Sequence, residues 1–467
     1  MSSGGEETAW LLEGGMLMGV RRTRIVALLG GAALLLSGLQ GIGAAGNQAG
    51  SSYEVWAIDQ SNTAGLTYGG TLYIWDGAEL ADFEQASSAE PEKIDLAADV
   101  ADLCFQKTGA NPVRPHMLAI NAGQTHAIIS FVASGHVVFL DADTRSPLDC
   151  VRTSPGDGGA RQVHFAIPSP DETYVAVANQ NGKLFERIDT NYATNSFSLN
   201  PAATIDLVNC TTPNGLACQD ATLRPDNAPI CPVIDSTSRY SFVTLRGGGL
   251  FVVDSTQTPM QIVAEYDRNT VHPNGCLGAE VPARRDAAAK MYLNSGGGTP
   301  SNIFEADLYS LPVTGFSPLN PPNTPAPKIV FSEDVDGADA HGATLVNNAR
   351  YLWMADRGRN FLWVVNTWTD QIVKRIQLVG DLSSDPTADL LAVSPDGDRV
   401  FASLRGPNPL TADPHVSTGL TPGVGVLLVR GKGSNSNLLA IAPVSNVDAD
   451  GVERADLHGL VVRRTQD

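Results

Sequence analysis

Four histidines and one aspartate of this chain recur at matching places. His116 and His126, His164 and Tyr174, and His341 and Tyr351 are each ten residues apart, so the first member of each pair holds one position in a repeated unit. Asp389 joins the set because Ser394-Pro395-Asp396 follows it as Ser169-Pro170-Asp171 follows His164. His458 joins through Gly459, which matches His341-Gly342. Neutral imidazoles converging with a carboxylate suit one transition metal, Zn, Cu or Fe, when rigid elements fix the geometry. A second reading stands beside it: a His before Gly at a strand start hydrogen-bonds a neighbouring element and holds no ligand.

A further set is Asn179, Arg246, Asp356, Arg357 and Arg405, each in the turn after the second apolar stretch of a unit. Three guanidiniums around one opening would clamp a carboxylate or phosphate through paired hydrogen bonds. Alternatively, each arginine pairs with an acid of the adjacent unit, such as Asp356 or Asp389.

The elements that must carry these residues are short strands. Stretches beginning at His116, His164, Cys231, His341 and Asp389 each run from an apolar segment through a turn to a second. A tight turn rich in Gly, Asn or Arg then leads to a third. Repetition of a four-strand unit predicts propeller blades. Blade two is expected over 116–153, blade three over 164–208 with its last strand near 203–208, and blades four to seven over 231–266, 276–331, 341–378 and 389–444. Strands at 53–59, 71–75 and 93–97 leave blade one without its innermost strand, which 455–462 supplies.

The expected fold is all-β, a seven-bladed β-propeller closed by N- and C-terminal strands in blade one, which removes the open sheet edge. Loops at 191–202, 209–229, 296–327 and 406–423 take up the extra length, and helical periodicity is hard to find anywhere. Innermost strands line a propeller's channel, so His341, Asp389, His458, His116 and His164 ring the axis. The arginine-bearing turns open on the same face.

Ser394-Pro395-Asp396-Gly397 with Val400-Phe401-Ala402-Ser403, Ser169-Pro170-Asp171 with Tyr174-Val175-Ala176-Val177-Ala178, and the His-Gly strand openings resemble YVTN-type β-propeller repeats of secreted bacterial and archaeal proteins. That group overlaps in fold with the seven-bladed lactonases. The resemblance spans blades two to seven and implies the fold; it implies no activity, because propellers host many unrelated functions.

Arg21, Arg22 and Arg24 precede an apolar run at 25–42, then Gly43-Ala44-Ala45 and a polar Gly/Ser stretch. That order predicts a secretory signal peptide over 1–45, starting naturally at Met16 or Met18, a linker at 46–52 and the propeller at 53–467. The competing reading is an uncleaved anchor, since the run is near the ~18-residue threshold for spanning a bilayer. Six cysteines follow, in keeping with an oxidising compartment, and the expected pairs are Cys104–Cys150, Cys210–Cys218 and Cys231–Cys276.

The 31 basic and 50 acidic residues leave a formal charge of −19, which repels phosphate backbones and anionic bilayers. The expectation is a secreted or periplasmic monomer with no nucleic-acid partner and no membrane insertion once the signal is cleaved. No Gly-x-Ser-x-Gly elbow, Gly-Lys-Ser/Thr loop or His-Glu-x-x-His helix occurs. Two functions remain: a binding propeller taking a small anionic molecule or a protein partner on its top face, or a metal-dependent oxidase or oxygenase, lyase or hydrolase built on the axial histidines.

Overall fold

The computed structural model describes residues 52–296, 305–319, 324–410 and 416–465. The expected signal peptide and nearly all of the expected linker lie outside the described residues. Seven antiparallel sheets, six of four strands and one of five, form a ring of blades. Their innermost strands, in chain order from blade two, are Pro115–Ile120, Val163–Pro168, Pro229–Ile234, Gly278–Val281, Ala340–Val346 and Ala388–Val393. The C-terminal strand Leu457–Arg464 is the innermost strand of blade one and pairs with Tyr53–Asp59, Tyr53 opposite Arg464 and Asp59 opposite Leu457. The terminal closure expected from the strand count is therefore present.

Neighbouring blades cover both faces of a sheet, so the middle strands are apolar along most of their length rather than alternating. His126–Phe131 and Tyr240–Leu245 are buried at every residue. Water is met most fully at outermost strands such as Gln371–Gln377, exposed at all but one residue. Among the described residues no helix is long and apolar enough to cross a membrane.

Two expectations need correction. The helix Asp99–Thr108 lies between blades one and two, where no helical period was evident. Only Val100, Ala101 and Cys104 form its buried face, too short a stripe to stand out, and Gly109 ends it in the left-handed region at φ 73°. Cys104 therefore reaches Cys150, on the outermost strand of blade two, from a helix. In blade three the outermost position is split. Ser196–Leu199, inside the expected loop, and Ile205–Asp206 both pair with Leu184–Asn191. Pro201 falls between them and has no N–H to continue the ladder. All three disulfides join the expected cysteines.

Candidate functional site: a polar cluster on the propeller axis

Each residue of the predicted ring is the second residue of its innermost strand: His116, His164, His341, Asp389 and His458. Each also sits at a register shift. In blade six, for example, Ala340 faces Asp356 and Ala343 faces Met354, so three steps on the inner strand match two on its partner. The same one-residue excess occurs at His116, His164, Asp389 and His458. Such a bulge bends the strand and re-aims a side chain that regular pleating would direct into the blade interface; here five polar side chains turn to the axis.

The glycines after two of the histidines allow the inner strands to approach. A Cβ on Gly342 would lie 2.2 Å from the carbonyl oxygen of Asp389, and one on Gly459 would lie 2.7 Å from the amide nitrogen of Leu118. Polar side chains on the second strands satisfy the carbonyls freed by the bulges: Ser403 Oγ donates to the His458 carbonyl at 2.7 Å, and Asn294 Nδ2 donates to the His341 carbonyl.

Asp389 is the hub. Its Oδ1 lies 2.9 Å from His341 Nε2, its Oδ2 lies 3.8 Å from His458 Nε2, and both oxygens receive Arg357 Nη1 at 3.2 and 3.3 Å. Arg405 Nη1 adds a bond to Oδ2 at 2.5 Å. Burial works to raise this carboxyl, but the surrounding His341, His458, Arg357 and Arg405 outweigh it and hold Asp389 well below the usual carboxylate range. Arg357 also donates Nε to Asp339 Oδ2 at 2.7 Å, and its Nη2 has no partner among the described residues. Burial raises Asp339 despite that guanidinium.

The other two imidazoles belong to a chain of hydrogen bonds. Gln60 Nε2 donates to Asp456 Oδ2 at 3.1 Å, so its Oε1, 2.5 Å from His116 Nδ1, accepts. His116 therefore carries its proton on Nδ1 and presents a lone pair on Nε2 to His164 Nε2, 3.3 Å away. His164 Nδ1 lies 3.5 Å from Cys231 Sγ. Burial first, then neighbouring cations and imidazoles, keeps His116 and His458 well below the ordinary imidazole value and takes His164 to about 3. His341 and His458 approach each other through their Nε2 atoms at 3.3 Å, while the buried Nδ1 of His458 has no partner among the described residues.

The ring thus divides. His341, Asp389 and His458 bring one donor atom each within 4.8 Å of one another, as do His164, Cys231 and Cys276; His116 instead stacks on His458 with ring centroids 4.0 Å apart. Of the predicted turn residues, Arg357 and Arg405 join the cluster. Arg246 does not: it is partly exposed and bonds Asp226 and Asn181. Asn179 spends its amide on Gln162, Ser154 and Glu186, and Asp356 holds Arg359, Trp363 and the Asp339 amide, so both brace their own surroundings.

A cavity of about 200 Å³ opens over this cluster, lined by His164, Asn274, Cys276, Asp339, His341 and Arg357 among others. His341 Nδ1, on the edge opposite its Asp389 contact, has no protein partner among the described residues.

Fold and site define the class: a seven-bladed β-propeller with a charged, imidazole-rich site on its axis. No family model and no curated protein matches the chain, so nothing attaches the YVTN repeat to it specifically. Solved structures do match. A hypothetical selenium-binding protein of Sulfolobus tokodaii superposes with TM-score 0.57 at 9% identity, over 90% of this chain and 96% of that one. A protein of Lactobacillus plantarum gives 0.55 at 12%, over 89% and 100%. The periplasmic gluconolactonase of Pseudomonas aeruginosa gives 0.54 at 14%, over 88% and 99%. At such identities the likeness is one of fold, shared with lactonase-like propellers.

Proposed function

We propose that this is an extracytoplasmic binding propeller that takes a small organic anion at the mouth of its channel, with Arg357 as the anchoring cation. The observation that carries the reading is Arg357 itself: a mostly buried guanidinium that lines the cavity, is fixed at Nε by Asp339 and at Nη1 by Asp389, and keeps Nη2 without a partner among the described residues. A guanidinium positioned in this way is preorganised for a carboxylate or phosphate. Burial raises the Asp339 carboxyl, which favours its taking up a proton when a second carboxylate enters.

The cavity of about 200 Å³ is below the ~300–1,000 Å³ of ordinary ligand clefts, which limits the ligand to a few heavy atoms. Asn274 and His341 Nδ1 supply neutral polar contacts to orient it. The three disulfides support a secreted or periplasmic location.

The metal-enzyme reading remains as a second proposal, favoured by the three donors of His341, Asp389 and His458 within 4.8 Å and by the unpartnered His458 Nδ1. Zn, Cu or Fe at this point would be held by those residues and would supply Lewis-acid or redox chemistry. Against it, both oxygens of Asp389 already receive guanidinium N–H groups, which takes up lone pairs a metal would need. We therefore rank the anion first.

Thermal-shift screening of chelator-treated protein against short carboxylates, phosphate and Zn, Cu or Fe salts tests the choice. The anion reading expects carboxylate stabilisation that Arg357→Lys removes. Stoichiometric metal binding with no anion effect would replace it by the second reading.

A further inference from the structure

The same cavity has a second wall of chemical interest. Cys276 lines it, and its disulfide partner Cys231 lies behind, fully buried in the innermost strand of blade four. His164 also lines the cavity, with its Nδ1 3.5 Å from Cys231 Sγ. His164 ends a chain of contacts that runs from Asp456 through Gln60 and His116. The disulfide thus has one cysteine, 2% exposed, in the cavity wall and the other beside an imidazole that can pass a proton to the sulfur leaving in thiol–disulfide exchange. Cys104–Cys150 differs: among the described residues no imidazole nitrogen lies within 4.8 Å of both its sulfurs, and the Asp149 carboxylate beside Cys150 is paired with Lys107.

We propose that Cys231–Cys276 is a thiol-reactive disulfide whose reaction partner is a small thiol bearing a carboxylate, the carboxylate held by Arg357 and the proton carried by His164. The sulfur of the entering thiol bonds to Cys276 Sγ. The Cys276–Cys231 bond breaks and its electron pair goes to Cys231 Sγ. The proton lost by the entering thiol passes through His164 Nδ1 to Cys231.

A second thiol then attacks the outer sulfur of the mixed disulfide, releasing the external disulfide and leaving Cys276 as a thiol with the second proton. Two thiols are oxidised, one protein disulfide is reduced, and the thiol itself is the reductant. The preference for a carboxylate rests on the anion site proposed above; the exchange chemistry does not.

The test uses the full-length folded protein with 3-mercaptopropionate or 2-mercaptoethanol. Alkylation quenching and mass spectrometry follow each cysteine pair, and rates are normalised to each thiol's reaction with glutathione disulfide. The expected result is opening of Cys231–Cys276 by 3-mercaptopropionate ~10-fold faster than by 2-mercaptoethanol and ~10-fold faster than opening of Cys104–Cys150. Arg357→Lys should erase the preference between thiols. His164→Phe should slow both thiols at Cys231–Cys276 and alter the pH profile, with Cys104–Cys150 unchanged as the control for folding. If Cys231–Cys276 opens no faster than Cys104–Cys150 with either thiol, the proposal is overturned. Fast opening at equal normalised rates by both thiols would overturn the carboxylate preference and the anion site with it, while supporting the exchange chemistry.

Discussion

Arg405 and Asp456 meet edge to edge, Nε 2.6 Å from Oδ1 and Nη2 2.8 Å from Oδ2, with both side chains buried. This paired bond joins the turn after the second strand of blade seven to the residue that precedes the closing strand Leu457–Arg464. Closure of the ring and assembly of the axial cluster are therefore coupled. Deleting 455–467 removes the innermost strand of blade one, His458 and Asp456 together. The expected outcome by calorimetry is loss of the cooperative transition of the whole propeller, and a variant melting within a few degrees of the full chain would show that closure is dispensable.

Arg405→Met leaves Asp389 and Asp456 with less compensation inside the protein. Removing one member of a buried charge network costs about 3–5 kcal/mol, so urea denaturation should show a loss of that order. Arg405→Lys should lose less but should not restore the parent stability, because an ammonium cannot make both parallel bonds to Asp456.

Replacing His341 and His458 together by alanine leaves Asp389 with both guanidiniums. The expected cost is about 1–3 kcal/mol, a shift of a few degrees in a chain of this size, while ligand binding is lost. A large stability loss with unchanged binding would assign these histidines to holding blades together.

Proton linkage works in opposite directions at two buried groups. Burial lowers His136 from 6.5 to about 4. Below 6.5 the unfolded chain binds the proton that the folded chain refuses, so this contribution is complete above 6.5 and is lost as pH falls towards 4. Burial raises Asp59 from 3.8 to about 7, so its contribution is present below 3.8 and is lost as pH rises through 7. Denaturation midpoints between pH 4 and 8 should show His136→Asn losing less stability on acidification than the parent. Asp59→Asn should lose less on going from pH 4 to neutrality.

The ring of His116, His164, His341, Asp389 and His458 was legible because recurrence at fixed offsets reports equivalent positions in a repeat. The bulges that turn those side chains to the axis were not, since one extra residue in a short strand leaves the apolar pattern unchanged. Asp339 and Asp456 were missed, although Asp339-Ala340-His341 and Asp456-Leu457-His458 share an Asp two residues before the His. Gln60 had no such signal, because its role depends on the terminal strand reaching the N-terminal one. Arg246 shows the limit of positional equivalence: it occupies the same turn as Arg357 and Arg405, but Asp226 lies within 2.6 Å and takes its guanidinium.

Calorimetric titration of the full-length protein with a short carboxylate, at low and high salt, tests the anion site most directly. The account predicts one ligand per chain, weaker binding at high salt, and affinity lowered by ~10-fold or more in Arg357→Lys, about 1.4 kcal/mol. Equal affinity in the parent and Arg357→Lys, or stoichiometric binding of Zn, Cu or Fe with no carboxylate bound, would contradict it.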